Sequence, residues 1–173
     1  MKTFILGSHA SLSARSPKIF NYLSDKLNIP LVMEPKNIKD KNDFVKQIVK
    51  LSKQKDFKGL LITNPLKKLW LKLENPNPSI RVKLSGVANV FWKDKFQKNR
   101  FENTDLMALN IILENLNIKN VVIIGTGAMS KTIELALNCK KRNKRISFIT
   151  SNLKKSKYDS SKIFKEETKK INE

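Results

Sequence analysis

A glycine-rich turn in the last third of the chain is the stretch whose residue types and spacing point most directly to chemistry. Residues 121–128 read V-V-I-I-G-T-G-A, so an apolar run leads into two glycines and then into a helix-forming stretch. Gly125 permits a tight turn and Gly127 lets backbone approach a phosphate, while a helix N-terminus attracts negative charge. Such a turn between strand and helix is typical of dinucleotide-binding sites, although an ordinary strand-to-helix turn is the alternative. We expect the pyrophosphate contacts to come from Gly125, Thr126, Gly127 and Ala128.

The residues after the next predicted strand bear on which dinucleotide would bind. That strand ends at Thr150, about 25 residues beyond Gly125, where NAD-binding folds carry an acidic residue for the ribose 2′-hydroxyl. Residues 151–155 read S-N-L-K-K, with no acid and two lysines. This favours a 2′-phosphate and therefore NADP, although lysines are abundant throughout the chain. The candidate contacts are Ser151, Asn152 and Lys154.

Strand-like and helix-like segments alternate along the chain, and they indicate the scaffold that would position these residues. Short apolar runs read as strands, and apolar residues spaced three or four apart read as helices, the first with Ser16 as N-cap and Pro17 as its first helical residue. This order is that of a parallel α/β architecture with right-handed crossovers. Strands are predicted at 2–7, 29–33, 59–63, 87–92, 121–125 and 145–150, and helices at 16–27, 43–54, 65–73, 105–116, 126–139 and 160–171.

The composition limits the classes of partner. The 173 residues include 35 Lys and Arg against 15 Asp and Glu, a formal net charge of +20. Only five of the basic residues are arginine and 18 residues are asparagine, a bias that A/T-rich coding produces whatever the function. A solvated basic surface is therefore favoured over nucleic-acid binding, which stays as a third hypothesis. With one cysteine and no apolar run near the roughly 20 residues of a membrane span, we expect a cytoplasmic protein without disulfide, metal site or membrane partner.

Five short stretches, taken together, resemble the shikimate dehydrogenase family. Residues 6–21 contain L-G-(x)8-S-P-x-x-x-N, which is similar to the family's opening strand and the turn before its first helix. Residues 59–67, G-L-L-I-T-N-P-L-K, resemble G-x-N-V-T-x-P-x-K, and residues 86–90, G-V-A-N-V, resemble G-A-V-N-T. Residues 103–105 match N-T-D, and residues 125–128 match the first half of G-x-G-G-A. All five glycines of the chain fall within these stretches, in the family's order.

The resemblance implies a reaction and roles for residues. The family reduces 3-dehydroshikimate reversibly to shikimate with NADPH, on the route to chorismate and the aromatic amino acids. Lys67 and Asp105 match the family's catalytic pair, in which an ammonium group donates a hydrogen bond and a proton to the ketone oxygen and a carboxylate orients the amine. Thr63 and Asn89 match positions that hydrogen-bond the ring hydroxyls, and Ser16 matches one of two hydroxyls that hold the substrate carboxylate.

Some positions depart from the family pattern. If Ser16-Pro17 anchors the first motif, the family's preceding serine is Ala14 here, and Ser11 or Ser13 is the candidate replacement. Asn152 stands where the family has an arginine for the 2′-phosphate. These departures affect NADP binding more than substrate binding.

The resemblance also implies the domain organisation. We expect an N-terminal α/β substrate-binding domain with a mostly parallel sheet at 1–103, followed by a partial Rossmann-like NADP-binding domain at 104–173, since family members are longer and a complete dinucleotide domain has six strands. The leading hypothesis is a shikimate dehydrogenase-like oxidoreductase acting on a small molecule, as a monomer or homodimer. The alternative is a non-catalytic relative that binds a shikimate-like hydroxy acid, and shikimate is not distinguished from quinate.

Overall fold

The structure, a computed structural model, describes residues 1–114, 116, 120–138 and 145–149. The chain forms two compact units, Met1–Thr104 and Asp105–Glu173. Three predicted cofactor contacts, Ser151, Asn152 and Lys154, and the predicted helix at 160–171 lie outside the described residues. The strands are β1 (Lys2–Gly7), β2 (Val32–Asn37), β3 (Phe57–Ile62), β4 (Val90–Lys93), β5 (Asn99–Glu102), β6 (Asn120–Ile124) and β7 (Arg145–Ile149). The helices are α1 (Ala10–Ser13), α2 (Ser16–Lys26), α3 (Lys41–Leu51), α4 (Ile80–Ser85), α5 (Thr104–Glu114), α6 (Ala128–Asn138) and a 3₁₀ helix (Leu66–Lys72).

The first unit is built on a five-stranded sheet in the order β2-β1-β3-β4-β5. The central strand β1 is parallel to both β2 and β3, and β4 and β5 extend the sheet as an antiparallel hairpin. The first unit is therefore an α/β domain, as the sequence predicts. Its sheet is parallel where crossover helices connect the strands. The hairpin is the antiparallel addition that strand and helix alternation alone does not indicate.

The hydrophobic core of the first unit joins the sheet to one face of α3 and of the 3₁₀ helix. Phe44, Ile48 and Leu51 recur at helical spacing in α3, and all three are buried. The rings of Phe91 on β4 and Phe101 on β5 lie 4.9 Å apart at 46°, which ties the hairpin to the same core. Each such side chain contributes roughly 1.5–3 kcal/mol of burial free energy, so the core fixes the hairpin against the parallel strands.

Helix α4 is short and is set by its two caps rather than by its apolar pattern. The Ser79 hydroxyl accepts a hydrogen bond from the Val82 amide at 3.3 Å, and Gly86 closes the helix in the left-handed region at φ 67°. Because Trp70 donates from Nε1 to the Gly86 carbonyl at 3.3 Å, the 3₁₀ helix and the end of α4 are held together.

Several predicted boundaries differ from the structure. The second strand is predicted at 29–33 and lies at Val32–Asn37. The helix predicted at 43–54 lies at Lys41–Leu51, because the Asp40 side chain caps its N-terminus. The N-cap prediction for Ser16 is also wrong by one position, since Arg15 occupies the cap and Ser16 is the first helical residue.

The second unit contains the parallel strand pair β6 and β7 and the helix α6 between them. The apolar run at 121–124 forms most of β6, and the predicted strand–turn–helix order is present. In the described parts of both units, no helix is long and apolar enough to cross a bilayer. Among the same residues, no three His, Cys, Asp or Glu side chains are grouped so that they could hold a metal ion.

The close approach of β1 and β3 at Gly7 gives the first prediction. A Cβ atom on Gly7 would lie only 2.5 Å from Cγ2 of Thr63, so Gly7→Ala should push Thr63 aside and lower the free energy of unfolding by about 1–3 kcal/mol. Thr63→Ser removes that methyl group, so the double variant should recover most of the loss. Urea unfolding of the three variants checks this. A double variant as unstable as Gly7→Ala would contradict it.

Candidate functional site

Three of the predicted site residues lie where β1 and β3 end and β4 begins. This side of the sheet, formed by the carboxyl ends of the parallel strands, is called the sheet edge below. The Thr63 amide donates to the Leu6 carbonyl at 2.9 Å, so Thr63 continues the β1–β3 pairing beyond Ile62. The Ile62 amide donates to the Asn89 carbonyl at 2.8 Å, which places Asn89 beside the same strand end. Because parallel strands present their carboxyl ends at one edge, this edge is where the fold class places ligands.

Lys67 is attached to this edge through its backbone. The Leu66 amide donates to the Thr63 carbonyl at 2.9 Å, which begins the 3₁₀ helix directly after β3. The Ala88 amide donates to the Lys67 carbonyl at 2.9 Å. The Lys67 backbone is thereby fixed between Thr63 and the segment that carries Asn89, and the Lys67 side chain is half-buried. A lysine held in this way can present its ammonium group from a rigid support.

Asn89 is buried and has a reciprocal pair of hydrogen bonds with Thr104. Its Oδ1 accepts from the Thr104 amide at 2.8 Å, and its Nδ2 donates to the Thr104 hydroxyl at 2.8 Å. The side-chain amide of Asn89 therefore fixes Thr104, the residue before Asp105. Asp105 lies in the first turn of α5 and belongs to the second unit.

The serines near α1 differ in what their hydroxyl groups already do. The Ser13 hydroxyl donates to the His9 carbonyl at 2.9 Å, so its hydrogen is committed within α1. The Ser11 hydroxyl instead accepts from Asn37 Nδ2 at 2.7 Å and finds no acceptor for its hydrogen among the described residues. Of the two candidate replacements for the missing family serine, Ser11 is the one that can donate to a ligand. Ser16 is half-buried at the N-terminus of α2.

Sequence reasoning missed a carboxylate close to the predicted site. Glu102, at the end of β5, accepts hydrogen bonds from the side chains of Ser79 and Arg81 and from the Asn103 amide. Burial acts to raise the pKa of Glu102, but these hydrogen bonds and the charge of Arg81 outweigh it and hold the pKa below its usual range. The signal that could have indicated it is Arg81, one of only five arginines in a lysine-rich chain.

The glycine-rich turn of the second unit lies between β6 and α6. Gly125 adopts φ 98°, a conformation that glycine tolerates best, and its amide donates to the Ile149 carbonyl of β7 at 2.6 Å. A Cβ on Gly127 would meet no atom within 4 Å, so the backbone there is open to a close ligand. Helix α6 begins at Ala128 with no acidic residue in its first turn.

These observations place the predicted residues in two groups. Thr63, Lys67 and Asn89 share one sheet edge of the first unit, and Gly125 to Ala128 form the turn of the second. Their binding and catalytic roles stay predictions.

A family model covers most of the first unit. Residues 5–90 match the family model described as the shikimate dehydrogenase substrate binding domain. A pentafunctional AROM polypeptide of Scheffersomyces stipitis is 28% identical over 141 residues, which are 74% of this chain and 9% of that polypeptide.

Solved structures share the fold. The shikimate dehydrogenase of Thermotoga maritima aligns with a TM-score of 0.71 at 21% identity, over 89% of this chain and 56% of that one. A shikimate dehydrogenase crystallised in complex with NADP⁺ aligns with a TM-score of 0.75 at 20% identity, over 99% of this chain and 57% of that one.

The chain thus spans somewhat more than half the length of these solved structures and about a tenth of the AROM polypeptide. The matched region begins within β1 and ends at the first residue of β4, so it contains Thr63, Lys67 and Asn89. With the family model, the fold and the order of the motifs in agreement, the chain belongs to the shikimate dehydrogenase family.

Proposed function

We propose that this chain binds 3-dehydroshikimate and shikimate at the sheet edge and takes part in their NADP-dependent interconversion, on the route to chorismate and the aromatic amino acids. The observation that carries the proposal is the placement of Thr63, Lys67 and Asn89 together at the ligand-binding edge, inside the region matched by the family model. We further propose that it acts in the cytoplasm.

The chemistry of the reduction suits the residues at this edge. NADPH supplies the hydride when bound. Negative charge then develops on the ketone oxygen, and a positioned ammonium group stabilises it and delivers a proton. Lys67 is the candidate donor because its backbone is held at the sheet edge between Thr63 and the segment that carries Asn89. Asp105 is the candidate carboxylate that orients the amine of this lysine.

The remaining residues suit the polar groups of the substrate. Thr63 and Asn89 offer hydroxyl and amide groups to the ring hydroxyls. Ser16 and Ser11 offer hydroxyl hydrogens to the carboxylate, and the amide groups in the first turn of α2 add a positive end to a helix of 11 residues. Two hydroxyl donors and a helix N-terminus suit a single carboxylate group.

The described part of the second unit is compatible with NADP. Gly125, Thr126, Gly127 and Ala128 would hold the pyrophosphate against the N-terminus of α6. Ser151, Asn152 and Lys154 remain the proposed 2′-phosphate contacts.

Nucleic-acid binding is the third hypothesis, and one observation favours it. A cleft of about 490 Å³ lies at the opposite edge of the sheet from Thr63 and is lined by four lysines, Lys53, Lys55, Lys58 and Lys93. This function predicts an affinity for DNA that falls steeply with salt and is insensitive to Lys67→Ala.

Replacing either member of the proposed catalytic pair tests the reaction. Lys67→Ala and Asp105→Asn should each lower turnover of 3-dehydroshikimate by about 10²-fold or more, because each removes a group from the proton transfer. The measurement is the initial rate of NADPH loss, together with a calorimetric titration of shikimate. Binding without turnover in the unmodified chain would support the alternative of a non-catalytic relative.

Lys68 provides the matched control for Lys67. It is the next residue on the same 3₁₀ helix, and its side chain is exposed where that of Lys67 is half-buried. Lys68→Ala should therefore leave turnover within about twofold. Equal losses in the two variants, or near-normal turnover in Lys67→Ala, would overturn the assignment of Lys67.

The glycine turn gives a separate prediction about the cofactor. Gly127→Ala should fold normally because its new methyl group meets no protein atom, yet weaken NADPH binding by roughly tenfold because that methyl group occupies the space of the pyrophosphate. Fluorescence titration with NADPH and a thermal unfolding curve measure the two effects. Unchanged NADPH affinity in the folded variant would contradict the assigned contact.

A further inference from the structure

The carboxylate of Glu102 connects two segments that are distant in sequence. Oε1 accepts hydrogen bonds from the Ser79 hydroxyl at 2.7 Å, Arg81 Nε at 2.9 Å and the Asn103 amide at 2.8 Å. Oε2 accepts from a terminal nitrogen of Arg81 at 2.6 Å. The Glu102 side chain is 12% exposed and that of Arg81 38%, so the carboxylate side of this forked ion pair is the more shielded from water. It ties the N-terminus of α4 to the end of β5.

The same segment of β5 also holds Asn89. The Asn89 amide donates to the Glu102 carbonyl at 3.0 Å, and the Asn89 side chain is bonded in both directions to Thr104. Glu102 therefore fixes the backbone of Asn89, and Thr104 fixes its side chain. A shift of the Glu102–Thr104 segment would move the Asn89 amide.

A second set of hydrogen bonds closes the network through the buried side chain of Asn103. Asn103 is fully buried and donates from Nδ2 to the Ser85 hydroxyl at 2.9 Å, which donates in turn to the Arg81 carbonyl at 2.7 Å. Arg81 thus meets this network through both its guanidinium and its carbonyl. Buried polar networks of this kind reinforce each other, so the loss of one member loosens the rest.

We propose that Arg81 and Glu102 are positioning residues for the substrate site: their ion pair fixes Asn103 and Thr104, and through them the side chain of Asn89. Neither residue contacts the substrate in this scheme. The proposal rests on the proposed function only in the test that measures substrate binding. A lysine at position 81 would supply charge but not the fork that binds both carboxylate oxygens.

The chain contains a matched control in a second ion pair of the same chemistry. Arg100 binds a single oxygen of Asp94, Oδ2, through Nε at 2.9 Å and a terminal nitrogen at 2.7 Å, at the turn end of the same β4–β5 hairpin. The arginine side chains are equally exposed at 38%, and the carboxylate side chains are 12% and 16% exposed. Asp94 also accepts from backbone amides, of Phe96 and Lys98, as Glu102 does from Asn103. The two pairs differ in that Arg81 binds both oxygens of its carboxylate and Arg100 only one, and in the segments that they hold in place.

Comparison of Glu102→Gln with Asp94→Asn tests the proposal. Both variants should lower thermal stability. Only Glu102→Gln should weaken shikimate binding, by about tenfold, because its new amide group opposes the guanidinium of Arg81, whereas Asp94→Asn should stay within about twofold. The double variant Arg81→Gln/Glu102→Gln, in which two neutral amides can pair, should recover part of the affinity. Equal effects of Glu102→Gln and Asp94→Asn, or wild-type affinity in folded Glu102→Gln, would overturn the proposal.

Two further measurements keep the test decisive. Arg81→Lys retains the charge and should lie between the wild type and Glu102→Gln in affinity, so it serves if Glu102→Gln does not fold. Amide hydrogen exchange of Thr104 should be at least tenfold faster in the Arg81 or Glu102 variants and unchanged in Asp94→Asn, with no ligand present. A wild-type chain that fails to bind shikimate would contradict the proposed function, while unchanged exchange at Thr104 would contradict the positioning role independently.

Discussion

The burial of one polar side chain, Asn103, is the constraint on which the candidate site depends. Its amide is fully buried, and a buried amide without partners would cost several kcal/mol. The fold meets this requirement by bringing the Ser85 hydroxyl from the end of α4 to the Asn103 side chain and the Glu102 carboxylate to the Asn103 backbone amide. Those partners are in turn held by Arg81. The buried polar groups of the first unit and the position of Asn89 are therefore connected.

The sequence predicts the elements with a dense apolar pattern and misses those that depend on tertiary contacts. Strand β1 and the run in β6 are dense in apolar residues and need no partner to be recognised. Helix α4 reads I-R-V-K-L-S, which alternates as a strand does, and it is a helix only because Ser79 and Gly86 cap a segment whose Arg81 must face Glu102. Tertiary contacts, not local periodicity, decide that stretch.

Edge strands show a second limit of sequence reasoning. Strand β2 reads V-M-E-P-K-N and pairs on one side only, so its outer positions are polar and the apolar run before it gave the wrong boundaries. Strand β5, the other edge, is four residues long and carries Glu102 into the polar network. For the candidate site, motif order identified Thr63, Lys67 and Asn89, but which hydroxyl replaces the family's serine depended on the bonds of Ser11 and Ser13. Hydrogen-bond direction is a property that residue identity does not supply.

Arginine and lysine side chains differ in the contacts that they make. In the described part, Arg81 binds both carboxylate oxygens of Glu102 and Arg100 binds one oxygen of Asp94 through two nitrogens, whereas the lysines that line the cleft opposite Thr63 make no such contact. Arginine is used where a rigid two-point contact holds backbone in place, and lysine where a charge faces solvent. A surplus of +20 spread over the surface attracts anions generally, and the proposed substrate and cofactor are both anions. Specificity cannot come from that attraction, because it acts on any anion. It must come from the few groups whose positions are fixed, and Asn89, which the Arg81–Glu102 network holds, is one of them in the first unit.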